Sequence, residues 1–163
     1  MRFAISVLLA ATAIMASPGR LSDDLPVPVD GQPTTHTVWV GDRINPEEIR
    51  AAVGDKVEFR FHPGRQSVVQ SKFDRPCAYK KGFTSSVVED GRKVFVIEIK
   101  NEEPMWYYHG SRGLCHKKGI VGVINPPVAG TSDSNLFNYH KASLAKRTTH
   151  NCYEPSGGSL INI

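Results

Sequence analysis

Three residues with the chemistry of metal ligands or of a disulfide lie close together in the chain. His109, Cys115 and His116 stand between an aromatic segment, residues 105–108, and an apolar segment, residues 119–124. Imidazole nitrogens suit copper and zinc, and a thiolate is a soft ligand for the same metals. Binding residues concentrate in loops that a rigid scaffold positions. The pattern therefore predicts a metal site or a disulfide at one end of a β-sandwich.

The other histidines and the acidic residues indicate no catalytic arrangement. His36 falls on a predicted strand and is expected to be structural, whereas His140 and His150 lie in a polar C-terminal segment and are expected to be solvated. No Ser, His and Asp order and no pair of acidic residues falls on recognisable elements, as an active site would need. The sequence therefore predicts that the protein is not an enzyme.

The first residues predict secretion. Residues 1–17 place Arg2 before an apolar run that is followed by small residues, which is the layout of a signal peptide. The run is too short to span a bilayer, so we expect no transmembrane segment in the mature chain. Residues 18–34 contain four prolines and two glycines and are predicted to be an exposed linker. The expected localisation is secreted and extracellular.

The cysteine count and the charge limit the classes of partner. Export places Cys77, Cys115 and Cys152 in an oxidising compartment where disulfides persist, and an odd number leaves one thiol over. The formal net charge is +4, but the basic residues are scattered along the chain. Nucleic-acid binding needs a concentrated basic patch, so we expect no nucleic-acid partner.

Alternating apolar residues predict several short strands. In residues 56–61, Val57, Phe59 and Phe61 share one face, which is the period of a half-buried strand. Residues 44–53 fit either a short helical turn or an edge strand. The pattern indicates an all-β protein, a Greek-key antiparallel β-sandwich over residues 35–127 with an irregular tail over residues 128–163. The other predicted strands cover residues 35–40, 93–100, 105–108 and 119–124, with a loop leading into a strand over 64–73.

Short motifs across this domain resemble one protein family. The chain is similar to the secreted cupredoxin-like proteins of fungi, often called extracellular serine-rich proteins, which are related in fold to phytocyanins. The resemblance implies a cupredoxin-like sandwich and an extracellular or cell-wall partner. The matching motifs are His36-Thr37-Val38 with Val40-Gly41, Val53-Gly54-Asp55 with Val57-Glu58-Phe59, Ser67-Val68-Val69-Gln70-Ser71, Phe73-Asp74 with Pro76-Cys77, Pro104-Met105-Trp106-Tyr107-Tyr108, and Gly119-Ile120-Val121 with Ile124-Asn125-Pro126.

The resemblance also implies that the copper site is degenerate. Copper-binding members of the family use a histidine before the Ser-Val motif, a cysteine after the aromatic strand, a histidine beside a second cysteine, and a weak axial methionine. Gln66, His109 and Ile120 replace the first, second and fourth of these. The loop is one residue longer than expected, so the third position aligns with either Leu114 or Cys115. In both alignments the ligand set is incomplete.

The resemblance and the local cluster of histidines predict two alternative functions. The first is a secreted, non-enzymatic binding or structural module without a cofactor, in which Cys77 and Cys115 form the disulfide implied by the resemblance and Cys152 stays free. Closing this loop would stabilise the fold by about 3 to 4 kcal/mol. The second is a copper-binding or electron-transfer protein with a remodelled, sulfur-free site for Cu(II) or Zn(II). The candidate metal ligands are His109, His116, His62 and Gln66.

Overall fold

The strand with the clearest sequence pattern forms the centre of a five-stranded sheet. The computed structural model describes residues 31–111 and 113–163, and Gln32–Ile163 form one compact unit. The predicted signal peptide and most of the predicted linker lie outside the described residues. The elements are β1 (Thr35–Val40), β2 (Ile44–Asn45), β3 (Glu48–Ile49), β4 (Lys56–Phe61), β5 (Val68–Ser71), β6 (Lys93–Glu98), β7 (Met105–His109), α1 (Leu114–Lys118), β8 (Val121–Ile124), α2 (Leu136–Leu144) and β9 (Ser159–Asn162).

The strands form two sheets, which confirms the predicted all-β sandwich. One sheet has the order β2-β1-β4-β6-β9 and the other β3-β8-β7-β5. Both sheets are mixed, because β1 pairs with β4 and β3 pairs with β8 in parallel. The expectation of purely antiparallel pairing is therefore corrected. Parallel neighbours need a long connection, and the chain between β1 and β4 supplies one by passing through β2 and β3.

The apolar faces of the strands form the core between the sheets. Val57, Phe59 and Phe61 are buried there, as their alternation predicted. The Tyr107 ring packs edge-on against Phe59, with 5.3 Å between the ring centroids. A Cβ at Gly122 would lie 2.5 Å from Cζ of Tyr107, so glycine is required where this ring crosses β8. Burial raises the pKa of the Tyr107 hydroxyl well above its ordinary value.

The predicted irregular tail is wrong for two segments. Helix α2 begins after Asn135, whose side chain accepts a hydrogen bond from Asn138 N. Its Tyr139 is fully buried against Trp106, with 4.9 Å between the ring centroids. Strand β9 pairs with β6 and places Leu160 opposite Phe95. These segments are ordered by packing on the sheets, which their own sequence pattern does not reveal.

Two shorter segments also differ in detail from the expectations. Residues 44–53 contain the two short strands β2 and β3, so the edge-strand alternative is correct and the helical turn is not. The predicted loop after β7 contains α1, which lies between Gly113 and Gly119 with φ of 71° and 68°. Glycine adopts this left-handed conformation without strain and commonly ends a helix. No helix of the described residues is long and apolar enough to cross a membrane.

Candidate functional site

The pairing of β5 with β7 places the first candidate residues together. Val68 at the start of β5 is opposite His109 at the end of β7. Gln66 therefore lies beside the same end of the sheet. His109 Nε2 is 2.6 Å from Gln66 Oε1, and the His109 side chain is fully buried. Gln66 and His109 therefore face each other at this end of the sheet.

A second contact of the imidazole determines which ring nitrogen carries the proton. The backbone N–H of Ser111 donates to His109 Nδ1 over 3.2 Å. An N–H donor requires an unprotonated acceptor, so the neutral ring carries its proton on Nε2 and donates it to Gln66 Oε1. Both ring nitrogens therefore have partners within the protein. A metal could bind at either nitrogen only after one of these hydrogen bonds breaks.

Small polar side chains form hydrogen bonds next to His109. Ser111 Oγ is 3.0 Å from Ser67 Oγ, and Ser67 Oγ is 3.4 Å from Asn151 Oδ1. A Cβ at Gly110 would lie 2.7 Å from Ser67 Oγ, so only glycine fits between the strands here. Sequence reasoning missed Ser111 and Asn151. Their contacts with Ser67 join residues that are 44 and 84 positions apart, and no sequence pattern links such positions.

The disulfide resolves the alignment of the loop. Cys77 and Cys115 are bonded, with 5.6 Å between their Cα atoms, which confirms the implied pair, and Cys152 is the free cysteine of the described residues. Cys115 thus takes the position of the family's disulfide cysteine, and Leu114 takes that of the second histidine. Leu114 and Ile120 both pack against the main core.

The other two predicted ligands make contacts of their own. His116 is on α1, where its Nδ1 is 2.7 Å from Thr149 Oγ1. His62 follows β4 and lies exposed against Trp39, with 5.5 Å between the ring centroids. In residues 31–111 and 113–163, no group of three or more His, Cys, Asp or Glu residues could hold a metal ion. A site that combines these two histidines with His109 and Gln66 stays a prediction.

A surface cleft adjoins Gln66. Its volume is about 540 Å³. Sequence reasoning did not select Trp39, although its place between Val38 and Val40 indicated an outward-facing aromatic residue. Trp39 is 43% exposed. The residues lining this Trp39 cleft include Trp39, Asp42, Arg43, Asn45, His62 and Gln66.

The free thiol lies near the polar end of the site. Asn151 Oδ1, which contacts Ser67, also accepts a hydrogen bond from Cys152 N. Burial raises the pKa of the Cys152 thiol, and a hydrogen bond with Thr84 partly offsets this effect. The thiolate, which is the reactive form, is therefore disfavoured.

Comparisons with curated proteins support the resemblance. No protein-family model matches the chain. It is 33% identical over 88 residues to a probable GPI-anchored cupredoxin-1 of Arthroderma benhamiae, a match that covers 53% of this chain and 46% of that protein. It is 30% identical over 96 residues to an extracellular serine-rich protein of the same organism, covering 55% of this chain and 37% of that protein. The chain thus matches less than half the length of these relatives.

Solved structures with similar backbones include a purple cupredoxin from Nitrosopumilus maritimus. That match has 14% identity, a TM-score of 0.46, and covers 55% of this chain and 96% of that one. Plastocyanin from Dryopteris crassirhizoma gives 16% identity and a TM-score of 0.40 over 54% of this chain and 96% of that one. The chain is similar to fungal cupredoxin-like proteins, and the curated relatives confirm this resemblance and the extracellular localisation.

Proposed function

We propose that this chain is a secreted, non-enzymatic module that keeps a cupredoxin-like scaffold, has lost its copper site, and binds an extracellular or cell-wall partner. The observation that supports this most directly is the state of the four ligand positions. Gln66 and His109 hydrogen-bond to each other, and Leu114 and Ile120 pack into the core. The side chains at all four positions are therefore held by contacts within the protein.

The chemistry of the donor set supports the same proposal. A blue copper site needs a cysteine thiolate and two imidazoles around a weak axial ligand. Cys115 is in the disulfide and has no thiolate to offer. His109 already uses both ring nitrogens, one toward Gln66 and one toward Ser111. The residues present therefore do not fit a type 1 copper ion.

Copper titration of the secreted, disulfide-intact protein tests this proposal. We expect no intense visible band from thiolate-to-copper charge transfer and no stoichiometric tight binding of Cu(II) by calorimetry. A strongly coloured product, or one tightly bound copper ion per chain, would contradict the proposal. Metal analysis of the protein as purified provides an independent measurement.

The competing candidate is a copper-handling or electron-transfer protein with a remodelled histidine site. Gln66 favours it, because its side chain contacts the buried His109 and also lines the cleft that contains His62. Imidazoles bind both Cu(II) and Zn(II). If this site exists, His109→Ala weakens metal binding, and His62→Ala or His116→Ala weakens it further. Equal binding by wild type and His109→Ala would rule it out.

A further inference from the structure

The Trp39 cleft combines an exposed aromatic ring with a rim of polar side chains. Trp39 lies on β1, where it is paired with Asn45 on β2 and Arg60 on β4. The guanidinium Cζ of Arg60 lies 5.9 Å from the centroid of the indole. The ring is thus mounted on paired strands and supported by a cation, rather than carried on a loop.

The neighbouring histidine is also held in place. His62 N donates to Val40 O over 2.9 Å, which fixes the backbone beside β1. A Cβ at Gly41 would lie 2.7 Å from Cδ2 of His62, so the imidazole approaches this backbone as closely as only glycine permits. The tilt between the His62 and Trp39 rings is 37°. Together the two rings form a preorganised aromatic wall.

The rim of the cleft offers hydrogen-bonding groups that the protein itself leaves unused. Among the residues that the structure describes, the side chains of Asp42, Arg43 and Asn45 make no hydrogen bond or ion pair. They supply a carboxylate, a guanidinium and an amide. The two formal charges are opposite, so the rim does not favour a strongly charged ligand. It suits an uncharged ligand with many hydroxyl groups.

We propose that the Trp39 cleft binds the pyranose rings of a neutral polysaccharide. Pyranoses present C–H groups on a ring face, which can pack on the indole, and hydroxyls around the edge, which can bond to the rim. The volume of about 540 Å³ falls within the range of roughly 300–1,000 Å³ typical of small-molecule sites. This inference rests on the proposed extracellular binding role and specifies its partner.

Tryptophan fluorescence reports directly on the cleft. The chain has two tryptophans, and Trp106 is 5% exposed whereas Trp39 is 43% exposed. Titration of the secreted protein with soluble oligosaccharides of β-glucan, mannan and chitin should give a saturable change in emission with at least one of them. Trp39→Ala should weaken binding by about tenfold or more, measured by calorimetry, because a central aromatic contact is lost.

A control variant and titrations at increasing salt concentration complete the test. Tyr153→Ala removes an aromatic ring that is 88% exposed outside the cleft and should leave binding unchanged. Saturable binding that Trp39→Ala weakens and salt leaves intact would support the proposal. Equal binding by Trp39→Ala, binding of acidic polymers only, or no saturable binding to any of the three would overturn it.

Copper titration in the same buffer separates this inference from the proposed function. Saccharide binding without copper binding supports both. The absence of both overturns the polysaccharide inference and leaves the loss of the copper site intact. Tight copper binding overturns the loss of the copper site, whichever result the saccharide titration gives.

Discussion

The family resemblance aligns His109 with the cysteine of copper-binding members, and in this structure its ring is hydrogen-bonded within the fold. Its Nε2–H donates to Gln66 Oε1 and its Nδ1 accepts from Ser111 N. A buried polar group without a partner costs about 1 to 3 kcal/mol, so each residue of this pair makes the other acceptable in the interior. We therefore expect the contributions of these two residues to stability to be coupled.

A double-mutant cycle tests this coupling. His109→Leu leaves the Gln66 amide oxygen without its donor and should lower the free energy of unfolding by about 1 to 3 kcal/mol. Gln66→Leu removes the side-chain oxygen that accepts from His109 Nε2–H and should cost a similar amount. The double variant should cost less than the sum of the two by about 1 kcal/mol. Urea unfolding of the four proteins measures the coupling.

Gln70 provides a matched control for the cycle. It is also buried, but its Oε1 accepts a hydrogen bond from the backbone N–H of Phe83. Gln70→Leu combined with His109→Leu should therefore be additive. Additivity of the Gln66 and His109 substitutions as well would show that their hydrogen bond contributes no coupling.

Asp55, which lies beside the first residue of β1, makes the stability of the protein depend on pH. Its carboxylate accepts hydrogen bonds from His36 Nε2 and from the backbone N–H groups of Thr34 and Ala52. These bonds, led by the one from His36, lower the pKa of Asp55 below its ordinary value of 3.8. The stabilisation is present above that value and is lost as the pH falls through the lowered pKa.

The substitution Asp55→Asn tests this dependence. At neutral pH the variant should unfold at a lower urea concentration than the wild type, because the amide cannot accept all three hydrogen bonds. The difference should shrink as the pH falls below 3.8. Asp42→Asn serves as the control, since the Asp42 side chain accepts no hydrogen bond within the described part of the chain. A difference that stays constant with pH would contradict the role of the Asp55 carboxylate.

Strand β9 covers an edge of the larger sheet by pairing with β6. It pairs with β6 in antiparallel register, and Leu160 packs against the main core. Without β9, the backbone donors and acceptors on the open side of β6 would be exposed. Such an edge is a template for association with other chains. The C-terminal strand thus contributes both packing and protection.

Truncation after Gly158 should therefore have two measurable effects. The free energy of unfolding should fall by about 2 kcal/mol or more, because the buried part of Leu160 is lost. The truncated protein should also associate at high concentration, which size-exclusion chromatography detects. Ile161→Ser is the control, because its side chain is 47% exposed and its strand pairing remains. An unchanged, monomeric truncated protein would show that β9 contributes little.

The extent to which the sequence predicted these elements depends on where their packing partners lie. Strands with a strict apolar period, such as β4, were predictable because each residue's face follows from its neighbours. Helix α2 buries Tyr139 and Ser143 and presents Phe137 to solvent, so its own pattern is not amphipathic. The Trp39 cleft also escaped prediction, because separate segments of the chain meet there only in the folded protein.

The three cysteines make the oxidation state of the protein measurable. The disulfide joins α1 to the segment after β5, while Cys152 is half-buried next to Asn151, whose Oδ1 contacts Ser67. Because burial raises the pKa of the Cys152 thiol, less thiolate is present at a given pH than in a free cysteine. The folded protein should therefore react slowly with a thiol reagent.

A thiol count under native and denaturing conditions tests the complete arrangement. The secreted protein should release one equivalent of reporter per chain, slowly when folded and rapidly in denaturant, with a native rate that rises with pH. Cys152→Ser should abolish the reaction and leave the urea midpoint nearly unchanged. Three equivalents in denaturant would mean that the disulfide does not form. None would mean that Cys152 is bonded to another molecule, which a non-reducing gel would reveal as a change in mass.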